Sequence, residues 1–178
     1  YFPVLIKGAG MPYELSPEEI ETRETYDFLA NIYNQFQKPH FKDEIFYNFI
    51  SNIKGNVVLE IGCGTGRDSN LFTSEGYKYI GIDMSKNMIS IAQQDFRSKM
   101  ANFLVMNAVE MGFKSESFDA FYSVATLMTV PKQTLPIILS EAKRVLKDDC
   151  VGFISIPHGS FEGMYEGRTE KVNDQRAV

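Results

Sequence analysis

The chain has 178 residues, enough for one domain with a substantial core. Apolar residues make up 44% and charged residues 23%, the balance of a globular fold, and no apolar run reaches the ~20 residues that a membrane helix needs. The formal net charge of −5 and the mixed signs of its charged clusters exclude an extended phosphate-binding surface, which relies on clustered Lys and Arg; a local basic groove stays open. Residues 1–15 read as an N-terminal extension, with neither the basic n-region nor the long apolar h-region of a signal peptide. Two cysteines, Cys63 and Cys150, are too few for a disulfide framework, and a reduced, cytoplasmic setting is expected.

Residues 16–54 read as a helical cap. Ser16, Pro17 and Glu19 spell a helix start: an N-cap, a proline in the first turn and a capping box. Leu29, Ile32, Tyr33 and Phe36 then share one face, and Lys38-Pro39 breaks the helix. A second helix begins near Phe41, lines up Phe46, Phe49, Ile50 and Ile53, and is expected to end at Gly55.

From 55 to 158 the rhythm changes to short β-branched runs alternating with helical segments. Strands are expected over 57–61, 77–83, 102–107, 117–124 and 150–157. Helices are expected at about 66–75, after the cap Ser85 (with Met88, Ile89, Ala92 and Phe96), and over 133–147 (burying Leu135, Ile138, Leu139, Ala142 and Leu146). This alternation predicts βαβ units, hence an α/β fold: an open, mostly parallel twisted sheet with helices on both faces. Residues 159–178 are polar and glycine-rich and read as a loop or tail.

The informative stretch is VVLEIGCGTG at 57–66, with glycine at 62, 64 and 66. Glycines directly after a buried strand permit backbone angles closed to other residues and let a ligand lie against the main chain. In an open α/β sheet such a ligand sits at the carboxyl ends of the strands. A dinucleotide fingerprint needs glycine at 67, where this chain has Arg67, so the tighter spacing suits a ligand without a pyrophosphate. Asp83 ends the second strand and stands where an acid can accept both hydroxyls of a ribose.

Glu60-Ile61-Gly62-Cys63-Gly64-Thr65-Gly66, Gly81-Ile82-Asp83-Met84-Ser85, Asn107-Ala108, Phe118-Asp119 leading to Ser123, and Glu141 through Lys147 follow one another in an order that resembles class I S-adenosylmethionine-dependent methyltransferases. The resemblance runs from about Tyr26 to Gly159. It implies S-adenosylmethionine as cofactor, with Glu60 ordering the glycine loop and approaching the methionine amino group. Gly62, Cys63 and Gly64 would border the amino-acid part, Asp83 would hold the ribose and Met84 would pack on the adenine. Asn107 and the Ala108 amide would meet the adenine edge, and Ser123 would lie under the methionine moiety. Tyr26-Asp27 and Tyr33 look like a helix lid, with Tyr33 reaching the cofactor.

Three departures from that family stand out. Asn107 replaces the usual acid, and Asp148-Asp149 replaces the usual turn before strand five. Strands six and seven of the family sheet are missing from this chain, so strand five would be an exposed edge, covered by a homodimer partner or by an upstream or downstream segment.

His158, after strand five, is the best base candidate, against the plainer reading of an exposed loop histidine; His40 reads as structural. Tyr122, Thr126 and Met128 either line an acceptor pocket or belong to the core. No metal-ligand spacing is visible. Cys63 and Cys150 fall at opposite ends of parallel strands, about 17 Å apart, beyond the ~7 Å reach of a disulfide, so both thiols are expected free. The expected function is S-adenosylmethionine-dependent methyl transfer to an unidentified acceptor, a small molecule rather than a nucleic acid. The rivals are a non-catalytic S-adenosylmethionine-binding module for regulation or assembly, and an oxidoreductase, which the glycine spacing disfavours.

Overall fold

A computed structural model describes residues 13–36, 42–96 and 99–156. The chain runs α1 (Pro17–Phe36), α2 (Glu44–Ser51), β1 (Val57–Ile61), α3 (Ser69–Thr73), β2 (Lys78–Asp83), α4 (Lys86–Asp95), β3 (Ala101–Val105), β4 (Phe118–Val124), α5 (Leu135–Val145) and β5 (Leu146–Ser155). The five strands form one sheet in the order β3-β2-β1-β4-β5, every pair parallel. The strand-helix alternation of the sequence is thus realised as a parallel sheet with a core cluster on each face.

Alternation along β1 divides the core. Leu59 and Ile61 face a cluster built with Ile80, Ile82, Phe118 and the α5 residues Ile138, Ala142 and Val145. Val58 faces the other cluster, with Tyr79, Phe103 and Tyr122 from the sheet, Phe46 and Phe49 from α2, Phe72 from α3 and Ile89 from α4. Tyr122 therefore belongs to the core, stacked on Phe153 at 5.2 Å and edge-on to Phe72 at 5.1 Å.

The local signals act as expected at several ends. Ser16 and Glu19 form the reciprocal capping box, with Ser16 N donating to Glu19 Oε2 at 2.8 Å and Glu19 N to Ser16 Oγ at 3.3 Å. Ser85 caps α4 by accepting from Met88 N at 3.1 Å. Elsewhere the boundaries move. α2 starts after the cap Asp43 and stops at Ser51, well before Gly55. Gly55 answers a tertiary demand instead: a Cβ there would lie 2.2 Å from Asp119 Cγ. β3 ends at Val105, not 107, because Asn107 Oδ1 accepts from Val109 N at 3.1 Å and turns the chain away.

β5 begins immediately after α5. Its pairing passes from Phe118↔Leu146 to Ala120↔Val151, so it takes five steps where β4 takes two, and Asp149 sits at φ +59° in that excess. The Asp148-Asp149 departure is thus a left-handed turn that an aspartate tolerates. Among the described residues β5 pairs with β4 alone. Ile154 and Ile156 are exposed there.

Two of the sequence stretches that carry the family resemblance prove to be clamps. The Asp119 carboxylate accepts from Asn56 N and Val57 N, each at 2.9 Å, and from Lys147 Nζ at 2.7 Å, tying the amino ends of β1 and β4 to the start of β5. Arg144 donates to Met111 O and Phe113 O, each at 2.8 Å, while Glu141 Oε1 accepts from Met111 N at 2.8 Å. That pair fastens the connection before β4 onto α5.

The helical cap of the sequence reading divides in two. α2 belongs to the sheet's own layers through Phe46 and Phe49. α1 instead docks on α4: Asp27 Oδ1 accepts from Ser85 Oγ at 2.5 Å and Asn87 N at 3.1 Å, and Asn34 Nδ2 donates to Asp95 Oδ2 at 3.0 Å. The expected apolar face of α1 is only partly buried, with Leu29, Ile32 and Tyr33 half-buried. Phe36 is exposed, and the buried residues are Glu19 and Ala30. Leu139 of α5 is likewise exposed. No helix among the described residues is long and apolar enough to cross a membrane.

Candidate functional site

Strand order reverses beside β1: the chain moves outward to β2 and β3, then returns to β4 and β5. At such a switch point the loops leaving adjacent strands diverge and a crevice opens at the carboxyl ends. Here that crevice is walled by the β1 glycine loop, the ends of β2, β3 and β4, and the inward side of α1.

The glycine loop takes its shape from three left-handed residues, Gly62 at φ +75°, Gly64 at +52° and Gly66 at +82°. Gly62 has a second constraint. A Cβ there would fall 2.0 Å from Thr126 Cγ2, and Thr126 Oγ1 donates to Gly62 O at 3.1 Å. The β1 and β4 loops thus touch backbone to side chain, with no room between them.

Asp83 fixes the loop from the other side. Its Oδ2 accepts from Gly64 N at 3.0 Å and its Oδ1 from Ser85 N at 2.8 Å. Each oxygen keeps a further lone pair for a hydroxyl donor. Burial raises the Asp83 carboxyl above its ordinary range, against the opposing pull of the Ser85, Gly64 and Met84 backbone N–H groups. The ordering of the glycine loop, expected of Glu60, therefore falls to Asp83.

Glu60 is buried, and its Oε2 accepts a short hydrogen bond from the Tyr79 hydroxyl of β2. Burial, then the Asp68 charge, push its carboxyl well above the ordinary range, and Tyr79 opposes them. The alternative lysine partner is not what the structure supplies. Cys63 is buried on the same wall, and burial raises its thiol well above the ordinary value; Cys63 and Cys150 are both free.

Of the residues singled out from sequence, Tyr33, Glu60, Gly62, Cys63, Gly64, Asp83, Met84, Asn107 and Ala108 all line this one crevice, as do Tyr26 and Thr126. Tyr26 and Tyr33 meet edge to face, 5.6 Å between ring centroids. Ser123 is not brought to the crevice wall: it is buried, and its hydroxyl donates to Ile61 O at 3.0 Å. Met128 is half-exposed and lies off the wall. His158 and His40 lie outside the described residues. No group of three or more His, Cys, Asp or Glu side chains suited to a metal occurs among the described residues.

Several lining residues escaped the sequence reading. Arg67 forms a two-point pair with Asp68, at 3.0 and 3.2 Å. Ala125 sits at φ +56°, held by its N–H donating to Ser155 O at 2.8 Å. Glu19, Thr22 and Arg23 come from α1. The i, i+3, i+4 spacing of those last three on a helix start was a visible signal; the side of α1 that faces inward was not.

The chain matches the family model described as a methyltransferase domain over residues 59–154. An uncharacterized protein of Methanocaldococcus jannaschii is 32% identical over 79% of this chain and 69% of its own length. An O-methyltransferase of Aspergillus nomiae is 32% identical over 44% of this chain and 37% of its own. The crystal structure of a SAM-dependent methyltransferase from Methanosarcina mazei superposes with a TM-score of 0.54 at 32% identity, covering 62% of this chain and 54% of that one. The chain thus spans between 37% and 69% of the length of these relatives. Matched from β1 into β5, across the glycine loop and every strand end that shapes the crevice, this chain belongs to the methyltransferase-domain family.

Proposed function

We propose that this chain binds S-adenosylmethionine in the crevice and transfers its methyl group to a small-molecule acceptor. The observation that carries the reading is the Asp83 carboxylate. It ends β2 at the crevice wall, spends one lone pair of each oxygen on the glycine loop and the α4 cap, and keeps the others. A vicinal diol satisfies such an acceptor pair, and ribose is the diol of this cofactor.

The remaining lining residues fit the other parts of the molecule. Met84, Met88 and Met106 offer polarizable apolar surface for a flat base. Asn107 has given one lone pair of its Oδ1 to Val109 N, so its second lone pair and its amide N–H groups are what remain for a base edge. Glu60, buried and negative when ionised, suits the ammonium of an amino acid. The bound sulfonium supplies the reactive methyl and the leaving group; the protein supplies alignment and a dry site. Tyr26 and Tyr33 on α1 exclude water from above, and the glycine loop brings main chain to the crevice wall.

Calorimetry with S-adenosylhomocysteine and with NAD tests the reading. Binding of the first and not the second is expected. Asp83→Asn should weaken S-adenosylhomocysteine by tenfold or more, about 1.4 kcal/mol, as expected for lost hydrogen bonds to a charged acceptor. Equal affinity for both proteins would count against the ribose assignment.

A further inference from the structure

α1 is built the wrong way round for a helix that only covers a core. Its inward stripe is Glu19, Thr22, Arg23, Tyr26, Ala30 and Tyr33, spaced as one helical face. Phe28, two residues from Tyr26 and so on the opposite side, is 81% exposed. A surface helix normally turns its charges to water and its phenylalanines inward. Here an arginine and a threonine face the crevice at the expense of a phenylalanine left in solvent.

The two arginines on the crevice wall differ in their engagement. Arg67 is committed to Asp68 through two parallel hydrogen bonds. Among the described residues Arg23 makes one ion pair, to the adjacent Glu24 at 3.8 Å, beyond hydrogen-bond distance, and that carboxylate is itself 68% exposed. Of the crevice carboxylates, Glu19 accepts from Ser16 N and the Tyr13 hydroxyl, Glu60 from Tyr79, and Asp83 from two backbone N–H groups. Arg23, whose guanidinium is a planar fork of five donors, thus lines the crevice with that fork unfilled among the described residues.

We propose that Arg23, with the neighbouring Thr22 hydroxyl, is the recognition point for an anionic group, a carboxylate or a phosphate, on the methyl acceptor. The inference rests on the functional reading above and deepens it: the acceptor is an anion. Arg23 is a specificity-determining residue here and takes no part in the transfer itself. The alignment of α1 by the Asp27 and Asn34 hydrogen bonds to α4 holds the fork in place.

The test uses the whole chain saturated with S-adenosylhomocysteine, so that the anion of the cofactor's own amino acid is already in place. The Arg23 Nε–Hε resonance, identified by its loss in Arg23→Gln, is followed while inorganic phosphate, benzoate or neutral benzamide is added. A saturable shift with phosphate or benzoate, and none with benzamide, is expected; which anion binds more tightly distinguishes a phosphorylated from a carboxylate acceptor. Arg23→Lys should keep part of the anion affinity and Arg23→Gln should lose at least fivefold, read from a second reporter resonance of the crevice, while S-adenosylhomocysteine affinity stays within twofold in both. An unmoved resonance with both anions overturns the proposal. So does a tenfold loss of S-adenosylhomocysteine affinity in Arg23→Gln, which would give the fork to the cofactor. Failure of S-adenosylhomocysteine to bind the unmutated protein would instead bring down the functional reading on which it rests.

Discussion

Replacing Asp119 by alanine separates what holds the fold from what forms the site. Three donors meet this carboxylate: Asn56 N and Val57 N on one oxygen at 2.9 Å each, and Lys147 Nζ on the other at 2.7 Å. A hydrogen bond to a charged group contributes about 1.5–3 kcal/mol. The Lys147 side chain is 49% exposed and rehydrates on release, so its share is about 0–1 kcal/mol. Asn56 is exposed and its N–H finds water, whereas Val57 is half-buried and its N–H is left poorly paired. The sum is about 3 kcal/mol, or a fall in Tm of about 6–12 °C for a domain of this size. Because Asp119 lies at the amino end of β4, away from the crevice, S-adenosylhomocysteine affinity of the folded protein should stay within twofold. Urea and thermal unfolding, each paired with calorimetry, check both halves. A loss below 1 kcal/mol would refute the clamp, and a tenfold weaker ligand at full stability would place Asp119 in the site.

The same carboxylate sets a pH dependence. Burial would raise it, but Lys147 and the two backbone donors outweigh burial and hold it below its ordinary value. Its contribution is therefore present above the unfolded-state pKa and is lost as pH falls through the depressed folded value. In acid unfolding series, Asp119→Ala and the unmutated protein should converge at the lowest pH. Glu60 has the opposite sign: its folded pKa is raised, so the ligand-free protein loses stability as pH climbs from the ordinary carboxylate range through that raised value. Glu60→Gln keeps an acceptor for Tyr79 and removes the charge, so it should stabilise the ligand-free protein at neutral and higher pH while weakening S-adenosylhomocysteine; a variant that is both less stable and unchanged in affinity would contradict this. Gly62→Ala meets Thr126 at 2.0 Å from a left-handed backbone at φ +75°. It should cost at least about 2 kcal/mol and abolish S-adenosylhomocysteine binding, which unfolding curves and calorimetry would show.

What the sequence determined by itself is everything that local physics encodes. A capping box is decided within four residues, so the start of α1 at Ser16–Glu19 was readable. Strand period, helix period and glycine spacing are equally local, and they placed five strands, both layers and the glycine loop. They also put the glycine loop and Asp83 at the carboxyl ends of strands, where the crevice formed, while Glu60, Met84, Asn107 and Ala108 were singled out by the family resemblance. What only the tertiary structure decided depends on partners distant in the chain. The strand order put β1 in the centre and turned Tyr122 into core. The Ile61 carbonyl drew Ser123 away from the crevice wall, and the Asp119 carboxylate, not a helix end, explained Gly55. The rotation of α1 was set by the Ser85, Asn87 and Asp95 groups of α4, and it swung the inward face about a quarter turn from the apolar stripe that hydrophobic periodicity selects. Hydrophobic periodicity takes the buried side of a helix to be the apolar one; that fails for α1, because its inward side lines a crevice and its rotation is fixed by polar bonds to α4, not by apolar packing.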